Sequence, residues 1–347
     1  MPNPPPVLPA TMQAAVLHAY TGPSGVRVEE RPVPVPRPGQ VLVRIMASPI
    51  NPSDLLFLEG RYGFTKPTPV VPGFEAAGVV VAAADPLGRR RIGQRVVCAV
   101  QERGDGPWAE YMLAPAAFVL GLPRHLSFEQ GSMALVNPLT AIALIEMARR
   151  GRHRAVVQTA AASALGRMIA RLAAEHGISV IHVVRRTEQA DGLRAEGAQH
   201  ILDSSDPGFD AALGALCRSL DARLAFDAVA GPMTARVLGA MPRGGRVVVY
   251  GALSLEAAQA SPIDLIFHSK RVEGFWLSDW LGSKNPIALL NTSRRAFAML
   301  DGVLKTAVQA RYPVAQVGEA LTAYAANMSA GKVLITPHGA AESAKTG

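Results

Sequence analysis

The chain has 347 residues, of which 49% are hydrophobic and 18% charged; this is enough for two domains with a sizeable core and is not the balance of a disordered protein. It contains no run of about eighteen apolar residues, which excludes a membrane-spanning helix, and its two cysteines, Cys98 and Cys217, leave no disulfide framework or cysteine-rich zinc site. The net charge of +8 comes without any basic stretch interleaved with aromatic residues, so it points to a solvated surface and an anionic cofactor or substrate and gives nucleic acid little weight.

The N-terminal stretch MPNPPPVLPATM is proline-rich and has no basic region followed by an apolar one, so it is expected to be a loose leader and not a secretory signal. A reducing cytoplasm is the expected compartment. From 13 to 46 apolar and polar residues alternate between proline and glycine punctuation, as in QAAVLHAY and VPVPRPGQVLVRI. This predicts short antiparallel strands, one of them from about Val41 to Met46. Further strands are predicted around Glu75–Ala83 and Gln94–Val100. No long helical pattern occurs before Ser127, so the first part of the chain reads as a mostly β domain with long loops.

At Ser127 the pattern changes. Ser127-x-x-Gln130 reads as a capping box, and Asn137-Pro138-Leu139-Thr140 opens a helix that stops at Gly151. Strands then alternate with helices. The predicted strands are Ala155–Gln158, Ser179–Val184, His200–Leu202, Ala225–Asp227, Arg246–Tyr250 and Arg271–Leu277. The predicted helices are Leu165–His176, Arg186–Glu196, Phe209–Cys217 and Pro232–Ala240. Such alternation predicts a parallel, doubly wound α/β sheet. The tail from about Asn285 to Gly331 reads as helical, and VLITP as a closing strand.

The stretch from Ala155 to Arg186 is a β-α-β unit of about thirty residues. Ala161, Ser163 and Gly166 occupy the three positions of a G-x-G-x-x-G frame. All three are small, so the turn Ala161-Ala162-Ser163-Ala164-Leu165-Gly166 can let a pyrophosphate approach the backbone at a helix N-terminus. Where a NAD-binding unit offers an acidic residue to the ribose 2′-OH, this one offers Arg185 and Arg186. A cation pair there suits a 2′-phosphate, and so NADPH over NADH. By itself the segment also fits an ordinary buried β-α-β unit.

Several segments in order, PGQVLVRI (38–45), NPSD (51–54), PGFEAAGVV (72–80), IGQRV (92–96), NPLTA (137–141), LRAEGAQHILD (193–203), GGRVVVYGALS (244–254) and GKVLI (331–335), together with the glycine-poor turn, resemble the medium-chain dehydrogenase/reductase superfamily over nearly the whole chain. The similarity is greatest to its zinc-independent branch of NADPH:quinone reductases and trans-2-enoyl thioester reductases. The resemblance implies a Rossmann doubly wound parallel sheet inserted in a GroES-like, mostly β catalytic domain. On that reading 1–126 and 281–347 form the catalytic domain and 127–280 the dinucleotide-binding domain.

Zinc members of the superfamily bring a Cys ligand where this chain has Asn51 and a His where it has Phe74. Phenylalanine has no donor atom and asparagine is a poor zinc ligand, so no zinc is expected. The chemistry then expected is delivery of hydride from NADPH to a quinone, an enone or an enoyl thioester, with the protein supplying orientation and a proton. The Gly60-Arg61-Tyr62-Gly63-Phe64 stretch resembles the enoyl thioester reductases, which makes Tyr62 the expected proton donor or substrate-positioning group. A packed tyrosine at the base of a loop is the other reading. Asn51 is expected to bond the nicotinamide ribose or the substrate oxygen, or else to start the turn before Pro52.

The resemblance further implies that Thr140, Tyr250, Gly251, Phe275, Trp276 and Lys332 lie against the cofactor, and that two copies pair through the apolar run from Phe275 to Trp280 as a homodimer. A buried edge strand and a solvated lysine would carry the same residues. A different class of function, a non-catalytic NADPH-binding redox sensor or nucleic-acid-binding protein, is the alternative.

Overall fold

The computed structural model of the chain describes residues 8–99 and 102–344. Its contacts divide the chain into two compact units, Met1–Val136 with Phe297–Gly347, and Asn137–Ala296.

The first unit begins with strands β1 (Thr11–Leu17), β2 (Val26–Pro32) and β3 (Gln40–Pro49), followed by helix α1 (Pro52–Leu58). Then come β4 (Glu75–Ala83), α2 (Pro86–Arg89), β5 (Arg95–Ala99), β6 (Tyr111–Pro115), β7 (Leu120–Gly121) and α3 (Phe128–Ser132). The proline-rich leader up to residue 7 and Val100, the last residue of the predicted Gln94–Val100 strand, lie outside the described residues. β3 pairs with β4, β6 and β15 (Lys332–Ile335), all antiparallel. With neighbours on each side, nearly all of its side chains are buried, so the alternation expected from the sequence gives way here to burial on both faces.

α1 is short but well specified. Proline stands at its first position, Asp54 lies in its first turn, and Gly60, at φ +69°, follows its end. Gly73 is at φ +102°, and a Cβ on it would lie 2.6 Å from Cδ1 of the fully buried Trp108. Only glycine allows the turn that delivers Phe74 and Glu75 to β4 to pass beneath that indole.

The second unit starts in α4 (Val136–Arg150) and alternates thereafter. Its elements are β8 (Ala155–Gln158), α5 (Ala164–Glu175), β9 (Ser179–Val184), α6 (Thr187–Ala195), β10 (His200–Asp203), α7 (Phe209–Ser219) and β11 (Leu224–Asp227). α8 (Pro232–Ala240), β12 (Arg246–Val249), α9 (Pro262–Ile266), β13 (Arg271–Gly274), α10 (Leu277–Gly282) and α11 (Pro286–Met299) complete it. Among the described residues the strands form one six-stranded sheet in the order β10-β9-β8-β11-β12-β13, with every pairing parallel. The chain first winds outward from β8 through β9 to β10, then restarts on the other side of β8 at β11. The crevice between β8 and β11 is therefore the topological switch point of a doubly wound sheet.

Two expectations need correction. The strand predicted over Arg271–Leu277 ends at Gly274, because its partner β12 ends at Val249, opposite Gly274. Trp276 instead caps the N-terminus of α10. The tail predicted as helical contains a strand, β14 (Val308–Tyr312), whose residues alternate half-buried and exposed as it pairs with β15. Its five residues are too few for a periodicity to stand out between α11 and the following helix α12 (Val317–Ala326). The chain ends in α13 (Ala340–Ser343).

Candidate active site

The turn expected to hold the cofactor lies in the second unit. β8, buried along its length, leads into Thr159 and Ala160. Ala160 takes a left-handed φ of +49°, a position more readily filled by glycine. Ser163 caps α5, its Oγ accepting the N–H of Gly166 at 3.1 Å. A Cβ on Gly166 would lie 2.4 Å from the Ala161 carbonyl oxygen, so this one glycine is what lets α5 start against the turn. The methyl groups of Ala161 and Ala162 are buried in a small core with Val184, Ala190 and Leu193. They are packed in that core, so neither Ala161, which stands at the first glycine position, nor Ala162 crowds the open side of the turn. Ala164 and Leu165 continue the first turn of α5, where backbone N–H groups lack intrahelical partners and the helix dipole is positive.

Arg185 and Arg186 follow the end of β9 and are exposed. Because β8 and β9 are parallel neighbours, both chain ends emerge at the same edge of the sheet. Tyr250 and Gly251 follow β12, and Phe275 and Trp276 follow β13, also at that edge. Tyr250 Oη is buried without a hydrogen-bond partner in the protein, and burial together with the nearby Asp227 carboxylate pushes its phenol well above the ordinary range. A small-residue turn at a helix N-terminus and an exposed arginine pair on one sheet edge, with the orphaned phenol of Tyr250 following a strand that ends at that edge, fit a dinucleotide carrying an extra phosphate. From β9 to β13 the edge spans four strand spacings, about 19 Å. Thr140 is buried in the first half of α4.

Asp227 was not singled out from the sequence, and it links the two loops that flank the switch point. Fully buried at the end of β11, its Oδ1 accepts the Thr159 hydroxyl at 2.7 Å and the N–H groups of Val229 and Ala230. Its Oδ2 accepts the Thr234 hydroxyl from α8 at 2.7 Å. Thr159 Oγ1 in turn accepts the N–H of Ala228 at 2.9 Å. Four donors satisfy the carboxylate without a cation.

In the first unit, Asn51 and Lys332 come together. Lys332 Nζ donates to Asn51 Oδ1 and to the Ile50 carbonyl, the latter at 3.2 Å. Asn51 Nδ2 donates to Glu75 Oε1 at 3.1 Å, and the Asn51 backbone N–H donates to Asp54 Oδ2 at 2.7 Å. All four residues are buried, none more than 2% exposed. Asp54 and Glu75 were missed in the sequence, although the Asn51-x-x-Asp54 spacing is that of a helix N-cap and its reciprocating carboxylate. Tyr62 lies among aromatic rings, its centroid 4.6 Å from that of Phe74 and 5.2 Å from that of Phe64, with Phe57 packed on both phenylalanines.

Burial dominates the electrostatics of the polar cluster. It pushes the Asp54 carboxyl from an ordinary 3.8 up to about 8, against the opposing pull of the Asn51 N–H and the Lys332 ammonium. It also raises Glu75, which the Lys332 ammonium and the N–H groups of Val136 and Leu135 partly hold down. Lys332 is lowered to about 8 by burial, despite Glu75 and Asp54. Between its two values Asp54 holds in the folded state a proton that the unfolded chain has released, so its share of stability falls as pH rises through that window. Asp54→Asn removes this titration. The variant is expected to gain in melting temperature relative to the wild type between about pH 5 and about pH 8. A difference that stays constant across that range would rule out the raised carboxyl.

Among the described residues no group of three or more His, Cys, Asp or Glu is arranged to hold a metal ion, and no helix is long and apolar enough to cross a membrane.

Comparison with known proteins places this geometry. Residues 37–124 match the alcohol dehydrogenase GroES-like domain, and residues 164–291 match the family described as zinc-binding dehydrogenase. Human mitochondrial enoyl-[acyl-carrier-protein] reductase is 28% identical over 80% of this chain and 76% of its own length. The crystal structure of a putative NADPH:quinone reductase from Mesorhizobium loti is 33% identical, covers 96% of this chain and all of its own, and superposes with a TM-score of 0.88. One from Bacillus thuringiensis, also a putative NADPH:quinone reductase, is 26% identical over 94% of this chain and 99% of its own, with a TM-score of 0.85. The GroES-like and Rossmann-type domains, their order along the chain and this likeness make the chain a member of the medium-chain dehydrogenase/reductase superfamily, in its quinone and enoyl reductase-like branch.

Proposed function

We propose that the chain is a zinc-independent, NADPH-dependent oxidoreductase that reduces a quinone or an activated C=C in an enone or enoyl thioester. The observation that carries this reading is the sheet edge at which β8, β9 and β12 end, where the Ala161–Gly166 turn, the Arg185–Arg186 pair and Tyr250 follow those parallel strands. The turn and the arginine pair belong to the unit Asn137–Ala296, and Asn51 and Tyr62 belong to the other unit. Zinc is disfavoured by donor chemistry. Phe74 has no donor atom, and the Asn51 amide is committed to Glu75 and Lys332.

NADPH, when bound, supplies the hydride. In an enone or enoyl thioester the charge that follows reduction at the β carbon gathers on the carbonyl oxygen. Asn51 offers that oxygen an amide N–H, and Tyr62 Oη delivers the proton to the α carbon. Arg185 and Arg186 bind the 2′-phosphate. The glycine-flanked Tyr62 loop and the enoyl reductase relatives favour enoyl thioesters, and the solved structures favour quinones.

Steady-state assays with NADPH and either crotonyl-CoA or a naphthoquinone test the proposal, together with melting curves in NADPH and NADH. Turnover of at least one acceptor is expected, with a rise in melting temperature for NADPH that NADH at the same concentration does not match. The rise without any turnover would favour the redox-sensor reading. Neither effect would overturn both.

A further inference from the structure

The polar cluster around Asn51 is directional. Its amide carbonyl faces the Lys332 ammonium and its NH2 faces the Glu75 carboxylate. Rotating the amide by half a turn would set NH2 against an ammonium and C=O against a carboxylate, so both partners reject the reversed state. One carboxylate oxygen of Glu75 serves this purpose. The other, Oε2, accepts the N–H groups of Leu135 and Val136, both at 3.0 Å, where α4 begins. With Oδ1 on Lys332 and one Nδ2 proton on Glu75, a single N–H of the Asn51 amide remains uncommitted to this cluster.

Resting on the reductase reading above, we propose that Glu75 and Lys332 are positioning residues that lock the Asn51 amide in one orientation, so that its remaining N–H is the donor presented to the substrate oxygen on which charge develops. The ammonium on the amide oxygen draws density from the nitrogen and makes that N–H a stronger donor. A donor whose direction is fixed before reaction needs no reorganisation as charge appears. The role differs from that of Glu75 Oε2, which accepts the N–H groups of Leu135 and Val136.

A reciprocal exchange separates the two roles. In Glu75→Gln the new amide can keep its carbonyl toward Leu135 and Val136, but its NH2 then meets the Asn51 NH2, donor against donor. In Asn51→Asp two carboxylates face each other. In the double variant, Asn51→Asp with Glu75→Gln, the carboxylate now at position 51 accepts from Lys332 and from the amide at position 75. Net charge is unchanged and every partner is satisfied, but position 51 no longer carries an N–H.

Both single variants are expected to lose thermal stability and turnover. The double variant is expected to recover most of the melting temperature and the wild-type NADPH-induced shift, while its kcat stays about a hundredfold or more below wild type, the scale of losing one such donor. If kcat recovers along with the melting temperature, the cluster is only structural and the proposal is overturned. If the melting temperature does not recover, the assigned amide orientation is wrong and the proposal also falls. A single variant that fails to fold does not blunt this, because the double variant is the one expected to fold. If instead the wild type oxidises no NADPH with either crotonyl-CoA or a naphthoquinone, the reductase reading has failed and the kcat half lapses with it; the melting-temperature half still decides whether the amide is locked.

Discussion

Tyr62→Phe is expected to lower turnover of an enoyl or enone substrate by about a hundredfold or more, within the range that a general acid contributes. The change deletes one oxygen atom. The ring that packs 4.6 Å from Phe74 and 5.2 Å from Phe64 stays, so the melting temperature should move little. KM for NADPH should not move either, because Tyr62 belongs to the unit that does not contain the cofactor turn. The expected signature is thus a fall in kcat with stability and cofactor binding intact, read from steady-state kinetics and a melting curve on one preparation. A rate within about threefold of wild type would mean that the hydroxyl takes no part in proton transfer and that Tyr62 is a packing residue. With a quinone acceptor the effect should be smaller, because no proton has to reach a carbon.

Charge reversal of the arginine pair, Arg185→Glu with Arg186→Glu, should have the largest effect on cofactor choice. Each charge-assisted hydrogen bond to a phosphate is worth roughly 1.5–3 kcal/mol, and about 1.4 kcal/mol corresponds to a tenfold change in affinity. Loss of both contacts, with repulsion added, is expected to raise KM for NADPH at least about a hundredfold and to leave KM for NADH unchanged or lower. Both side chains are exposed and lie outside the core beneath the turn, so the fold should tolerate the change. Raising salt should narrow the gap between wild type and variant, because exposed charges are screened. Equal loss of both cofactors would mean that the substitutions damage the turn itself and that the pair does not read the 2′-phosphate.

Much of the second unit was legible in the sequence. The strands Ala155–Gln158 and Ser179–Val184 and the helix Pro232–Ala240 have the limits predicted for them. They are short buried runs bounded by glycine, proline or small polar residues, so local pattern and tertiary environment agree. The small-residue turn and the arginine pair were legible for a related reason. Their positions follow from counting along one β-α-β unit, and a parallel pairing brings both chain ends to one edge. β14 was not legible, because its alternation spans only five residues and its strand character comes from β15. The end of β13 was also hidden, since β12, distant in sequence, sets it.

By itself the sequence determined the class of the chain, the order of its β and Rossmann-type parts, and the place of the small-residue turn between β8 and α5, because these rest on local periodicity and on contiguous motifs. Only the tertiary structure decided what the polar residues do. Asn51 and Asp54 meet locally at the start of α1, but Lys332 and Glu75 reach them only because β15 pairs with β3 and because β4 lies on the other side of β3. Thr159 reaches Asp227 only because β11 pairs with β8. A buried charge has to find partners wherever the fold supplies them, and spacing along the chain carries no record of which those will be.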